Sequence, residues 1–74
     1  HVLIIPKEHY ASFDVTPPQI MSDMTQFIQK VASVLDVQGS GYRLITNIGE
    51  HGGQEVNHLH FHLIGGEPVG RLVR

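Results

Sequence analysis

Three histidines on alternate positions carry most of the chemical potential of this chain: His58, His60 and His62, within Asn57-His58-Leu59-His60-Phe61-His62-Leu63. Side chains alternate faces along a strand, so a strand here puts the imidazoles on one face and Leu59, Phe61 and Leu63 on the other. Successive imidazoles would then sit about 6.5–7 Å apart along the chain. Two kinds of chemistry use such a row. One is metal binding, where imidazole suits zinc, copper and nickel. The other is work on a phosphate, in which a neutral imidazole attacks and a protonated neighbour stabilises charge or aids the leaving group. The chain has six His in 74 residues. They are not consecutive, which argues for a site and against a purification tag.

The residues before the row favour phosphate. Gly49-Glu50-His51-Gly52-Gly53-Gln54 contains adjacent glycines, and such a loop lets backbone N–H groups approach an anion in a concave nest. A three-imidazole metal site gains nothing from that loop and calls for carboxylates behind the ligands. Glu55 is the nearest carboxylate, but its three-residue separation from His58 puts it on the other face. His51 reads as an exposed loop residue.

The elements that must position these groups follow from pattern. Val2-Leu3-Ile4-Ile5, stopped by Pro6, reads as a buried strand. Residues 6–15 read as loop. Thr16 as N-cap, Pro17 at the first helical position and Gln19 completing a capping box predict a helix start. Met21, Met24, Ile28, Val31 and Leu35 then fall at spacings of 3 and 4, widened by Ile20, Phe27 and Val34, as in an amphipathic helix facing a core. Gly39 and Gly41 are expected to end it. Residues 42–48 and 56–64 read as two further strands, forming an antiparallel pair joined by a tight loop. Residues 67–74 read as an irregular tail with Arg71 and Arg74 as solvated charges. The order strand, helix, strand, strand predicts an α+β domain with an antiparallel sheet packed by one long helix.

Composition sets outer bounds. The chain is 41% hydrophobic and 16% charged, with net charge -2, which is the composition of a globular domain. Five Lys and Arg, scattered, are too few to neutralise a run of phosphates, so a nucleic-acid surface is not expected. No apolar run approaches the roughly 20 residues needed to span a bilayer, and a soluble, cytoplasmic protein is expected. With no Cys, a domain this small calls for a metal, a partner chain or further residues to stabilise it.

The residues from His58 to Gly66, HLHFHLIGG, resemble the signature of the histidine triad (HIT) superfamily. IIPKEH from Ile4 to His9, GYRLITN from Gly41 to Asn47 and GGQEV from Gly52 to Val56 agree in order and spacing. Together they look like the Hint branch, in a bacterial rather than an animal form. The resemblance implies a hydrolase of nucleoside phosphoramidates or related purine nucleotide conjugates, working through a nucleotidyl-histidine intermediate. It makes His60 the nucleophile and His62 the residue that contacts the phosphate and helps the departing group. His58 and His9 become supporting histidines that orient the nucleophile. Asn47 and the backbone around Gly53 and Gln54 become phosphate and ribose contacts. No metal or cofactor is implied, and the expected assembly is a homodimer. Residues 1–74 correspond to the C-terminal two-thirds of such a domain. Two strands and an acidic ribose-binding residue are therefore expected before the position of His1.

Two positions depart from the pattern or fall outside the triad. Glu55 stands where many relatives have a small hydroxyl residue, so its side chain is not taken as a phosphate ligand. His1 reads as structural. Two other functions remain open at this stage: a metal-binding module using the three imidazoles, and a nucleotide-binding interaction protein with vestigial catalysis.

Overall fold

A computed structural model describes residues 1–71. Its elements are β1 (Val2–Ile4), a 3-10 turn (Phe13–Val15), α1 (Pro18–Val34), β2 (Tyr42–Ile45) and β3 (Phe61–Gly65). The three strands form one antiparallel sheet in the order β1-β3-β2. Val2 pairs with Leu63 and Ile4 with Phe61 on one side of β3, while Leu44 pairs with Leu63 and Ile45 with His62 on the other. The fold is α+β, as expected, and the histidine-bearing strand is the central one.

One face of the sheet packs against α1. Ile4, Leu59, Phe61 and Leu63 are buried together with Met24, Ile28, Ala32 and Val37. Leu59 and Leu63 are at most 2% exposed, and burying side chains of this size stabilises a fold by about 1.5–3 kcal/mol each. The buried helix positions follow an i, i+4 line through Met24, Ile28 and Ala32, with Ile20, Met21 and Val31 partly buried beside it. Phe27, Val34 and Leu35, counted above as core-facing, are exposed. They lie to the side of the strip that three short strands cover.

Both helix ends differ from expectation for identifiable reasons. Pro17 precedes Pro18, and a residue before proline is pushed out of the helical region. Pro17 accordingly sits at φ -59°, ψ 142° as the N-cap, and Pro18 takes the first helical turn. Thr16 is displaced from the cap, and its hydroxyl donates to the Ser12 carbonyl at 2.8 Å. Gln19 donates to Asp23 and not back to the cap. At the other end the glycines arrive too late. Asp36 takes the left-handed conformation at φ 57°, which Asp tolerates better than most residues. The amide of Asp36 bonds to the Ser33 carbonyl and that of Val37 to Ala32. These are the two bonds of a Schellman motif, with buried Val37 and Ala32 as its apolar contact.

The strands are shorter than the pattern suggests. β3 begins at Phe61, so His58 and His60 precede the ladder. Extending the register would set Ile5 against His60 and Pro6 against Leu59, and Pro6 has no N–H to give. Side chains and loops take over instead. The hydroxyl of Thr46 donates to the His60 carbonyl at 2.8 Å, and the Leu59 amide to the Tyr10 carbonyl at 2.6 Å. β2 ends at Ile45, just before Thr46, and the whole segment 46–60 replaces the expected tight loop. No helix among the described residues is long and apolar enough to cross a membrane. Arg71 is exposed, and Arg74 lies outside the described residues.

Candidate active site

The alternation of faces holds from Leu59 to Leu63, on both sides of the ladder's first residue. Leu59, Phe61 and Leu63 are buried, and His58, His60 and His62 are half-buried on the opposite side. Each imidazole has its own neighbour. His60 Nδ1 lies 2.7 Å from the backbone oxygen of His58. A carbonyl only accepts, so Nδ1 carries the hydrogen, and the neutral ring has its lone pair on Nε2. That is the tautomer a nucleophilic imidazole requires. The His62 ring stands edge-on to His60 with centroids 5.2 Å apart. Its Nδ1 is 2.8 Å from Nε2 of His1. The His58 ring packs against His9 at 4.8 Å, and His9 Nε2 donates to the Asn57 carbonyl at 2.8 Å.

A pocket of about 430 Å³ opens at this face, lined by Leu3, Asn47, Gly53, Glu55, Val56, His60 and His62. Four of the residues expected at the site, His60, His62, Asn47 and Gly53, therefore meet in one wall. His58 and His9 stand behind that wall. His58 supplies the carbonyl that orients His60, and His9 packs on the His58 ring. Among the described residues, the lining holds one carboxylate, on the exposed Glu55, and no Lys or Arg. A larger cavity, about 680 Å³, lies beside Tyr42, Arg43, Ile64 and Pro68 and contains none of the expected site residues. There Arg43 donates to the carbonyls of Val69 and Gly70.

The glycine loop works differently from the expected nest. The Gly53 amide donates to the Glu50 carbonyl and the Gln54 amide to the Gly49 carbonyl, both at 3.0 Å. Those two N–H groups are used within the loop. Gln54 acts through its side chain. Its Oε1 accepts from the Gly49 amide at 3.0 Å, and its Nε2 donates to the carbonyls of Ala11 at 2.6 Å and Val56 at 3.0 Å. One carboxamide thus ties the loop to the segment that carries His9. Gly52 is required by space, since a Cβ there would lie 2.3 Å from the Ile48 oxygen. Tyr10 braces the same region. Its hydroxyl donates to Glu8 at 3.0 Å. That bond, with partial burial and the Glu8 charge, holds the phenol pKa above 10.0.

Among the described residues, no three His, Cys, Asp or Glu side chains are grouped to hold a metal ion. The imidazoles that could have converged are paired off, on a carbonyl, on His1 and on His9. His1, expected above to be structural, has its ring against that of His62. His1 alternates with Leu3, and Leu3 is the register partner of His62.

A helix on one face of a small antiparallel sheet, with imidazoles at a pocket on the other, defines an α+β domain with a histidine-lined site. The family model described as "HIT domain" matches residues 1–69, and the chain belongs to that family. An uncharacterized HIT-like protein of Helicobacter pylori is 45% identical over 67 residues, covering 90% of this chain and 64% of its own length. The purine nucleoside phosphoramidase of Escherichia coli is 41% identical over 76 residues, with 99% and 64% covered. The solved structure of a HIT family hydrolase from Clostridium thermocellum superposes with a TM-score of 0.85 at 45% identity, over 97% of this chain and 65% of that one. The chain spans about 64% of the length of these two curated relatives.

Proposed function

We propose that this chain is the phosphate-handling part of a nucleotide hydrolase that cleaves nucleoside phosphoramidates or related purine nucleotide conjugates at the α-phosphate. The observation that carries the reading is the 2.7 Å bond from His60 Nδ1 to the His58 carbonyl. It leaves the lone pair of a neutral imidazole on Nε2, in the wall of a pocket that His62 and Asn47 share. The name of the Escherichia coli relative supports the substrate class.

In this reading His60 Nε2 attacks the α-phosphorus. A P–N bond to His60 forms as the P–N bond to the departing amine breaks, and the amine leaves with a proton from His62 or solvent. Water then attacks the same phosphorus, the bond to His60 breaks, and a nucleoside monophosphate and neutral His60 result. Splitting one displacement into two through a fixed nucleophile lowers the barrier of each. Donors already aimed at the phosphoryl oxygens stabilise the charge that develops on them. His62 is the donor in the pocket wall closest to His60, and the Asn47 amide adds a second. His58 and His9 act behind His60 by holding its orientation.

The assembly proposed with this function is a homodimer. Leu3 and Ile5 are 56% and 51% exposed, and a second copy would cover such surface. Sedimentation of the full chain at micromolar concentration tests the dimer, and a stable monomer removes it.

Hydrolysis of adenosine 5′-phosphoramidate in EDTA tests the chemistry. The expected result is turnover that His60→Ala lowers by at least about 1,000-fold, as loss of a nucleophile does. A nucleotidyl adduct on His60 should be trapped by rapid acid quench and mass spectrometry. Activity lost in EDTA and restored by zinc would overturn the reading.

A further inference from the structure

We infer that Glu55 selects the leaving group: its carboxylate, at the rim of the histidine pocket, favours phosphoramidates whose departing amine carries a second, positively charged amino group. This role rests on the hydrolase reading given above and adds to it the class of amine released. Within the pocket of about 430 Å³, His60, His62 and Asn47 are half-buried and form the floor, while Leu3, Gly53, Glu55 and Val56 are exposed and form the rim. Among the described residues, Glu55 is the one lining side chain that is charged when the imidazoles are neutral.

The backbone carrying this carboxylate is held on both sides. The Gln54 amide donates to the Gly49 carbonyl at 3.0 Å, and the Val56 carbonyl accepts from Gln54 Nε2 at 3.0 Å and from the His58 amide at 2.8 Å. The Gln54 side chain turns into the loop, toward Gly49 and Ala11, whereas Glu55 and Val56 line the pocket. Arg43, the one arginine on the three strands, gives Glu55 no counter-charge here. It lines the other cavity and donates to the carbonyls of Val69 and Gly70.

A carboxylate repels phosphoryl oxygens, so Glu55 acts on another part of the ligand. In an in-line displacement the departing nitrogen lies opposite the attacking one. With His60 in the floor, the amine therefore leaves toward the rim, where Glu55 stands. The nucleoside is uncharged and offers the carboxylate no ionic partner. An ammonium elsewhere on the departing amine does, and an anionic group there is rejected, which is how charge at a site sets specificity. The bonds made and broken are those given above, and Glu55 takes no proton in them. Its attraction is present in bound substrate and in the transition state alike, so it acts chiefly on KM.

The test gives the full chain, at neutral pH, adenosine 5′-phosphoramidates of propane-1,3-diamine, propylamine and β-alanine, whose free ends are cationic, neutral and anionic. The parent should prefer the diamine to the β-alanine compound by about 10-fold in kcat/KM, as one exposed charge attracting one ligand and repelling the other does. High salt should shrink the ratio. Glu55→Gln should bring it to within about twofold, chiefly by raising KM for the diamine, and Glu55→Lys should invert it. A Glu55→Gln variant with the parental ratio overturns the inference, as does a parent that turns over all three compounds equally. If the parent turns over none of them, the hydrolase reading falls, and calorimetric affinities of the same compounds for the His60→Ala chain decide the role of Glu55. The same order of affinity, lost when Glu55→Gln is added, supports it; equal affinities or no binding overturn it.

Discussion

The histidine segment divides at Phe61 into two stretches held by different means. From Phe61 onward the backbone sits between two paired strands, and His62 is opposite Leu3 on one side and Ile45 on the other. Before Phe61 the same alternation of faces continues without a ladder, held by Thr46, Tyr10 and the Gln54-braced loop. The proposed nucleophile, His60, lies in the second stretch and its neighbour His62 in the first. Side-chain direction is therefore set by burial of Leu59, Phe61 and Leu63 across the boundary, while backbone placement is set by different partners on each side.

Truncating the buried leucines probes that comparison with the largest effect on stability. Leu63→Ala, inside the ladder, and Leu59→Ala, outside it, should each lower unfolding free energy by about 2–5 kcal/mol in urea titrations. Similar losses would mean one continuous core. A loss at Leu59 below 1 kcal/mol (on the scale of a surface change) would show that the stretch before Phe61 is not anchored from beneath. Gly52→Ala comes next. A Cβ at 2.3 Å from backbone oxygen forces the loop to move, at roughly 1–3 kcal/mol. Catalytic efficiency should fall while the amide spectrum of β1, β2 and β3 stays in place; a spectrum altered throughout the sheet would contradict the separation. Thr46→Val removes the bond to the His60 carbonyl and should cost about 1 kcal/mol, with faster amide exchange at residues 59–61. Exchange unchanged there would remove Thr46 as the substitute for ladder pairing.

The smallest effect lies at Tyr10. Its folded-state pKa is raised, first by the bond to Glu8, then by burial and by the Glu8 charge. The proton is thus held more tightly in the folded state than in the unfolded one. The resulting stability is present below pH 10.0 and disappears as pH rises through the higher folded value. Tyr10→Phe should lie slightly below the parent in thermal midpoint near neutrality, and the gap should close in alkaline buffer. A gap independent of pH would assign the effect to packing.

The division at Phe61 also marks how far the sequence was legible. Alternation of His with apolar residues reports which face is buried, and it continues through the boundary, so the site face was readable while the strand limits were not. The end of the ladder is dictated by Pro6, which lies more than fifty positions away and becomes relevant only once the register is known. The helix stripe was readable in period, but its buried width depends on three strands being narrow, and this left Phe27 and Val34 outside. Thr16 had the residue type of a cap and lost the position to the Pro17–Pro18 pair. Gln54 was expected near the ligand. That expectation concerned its backbone; its side chain bonds three backbone groups, one of them on Ala11, and local pattern does not encode that partner.

The central position of β3 has a kinetic consequence. Its pairing with β1 joins residues near the two ends of the described chain, and the His1–His62 contact spans 61 positions. Closing so long a loop precedes any stabilisation it brings, which slows folding relative to local pairings. The helix and its Schellman end form from neighbouring residues, so they can arise while the chain is still being made. The imidazole row cannot acquire its partners until β1 meets β3. Catalytic competence should therefore trail helix formation in refolding, and the recovery of activity would time the last step of assembly.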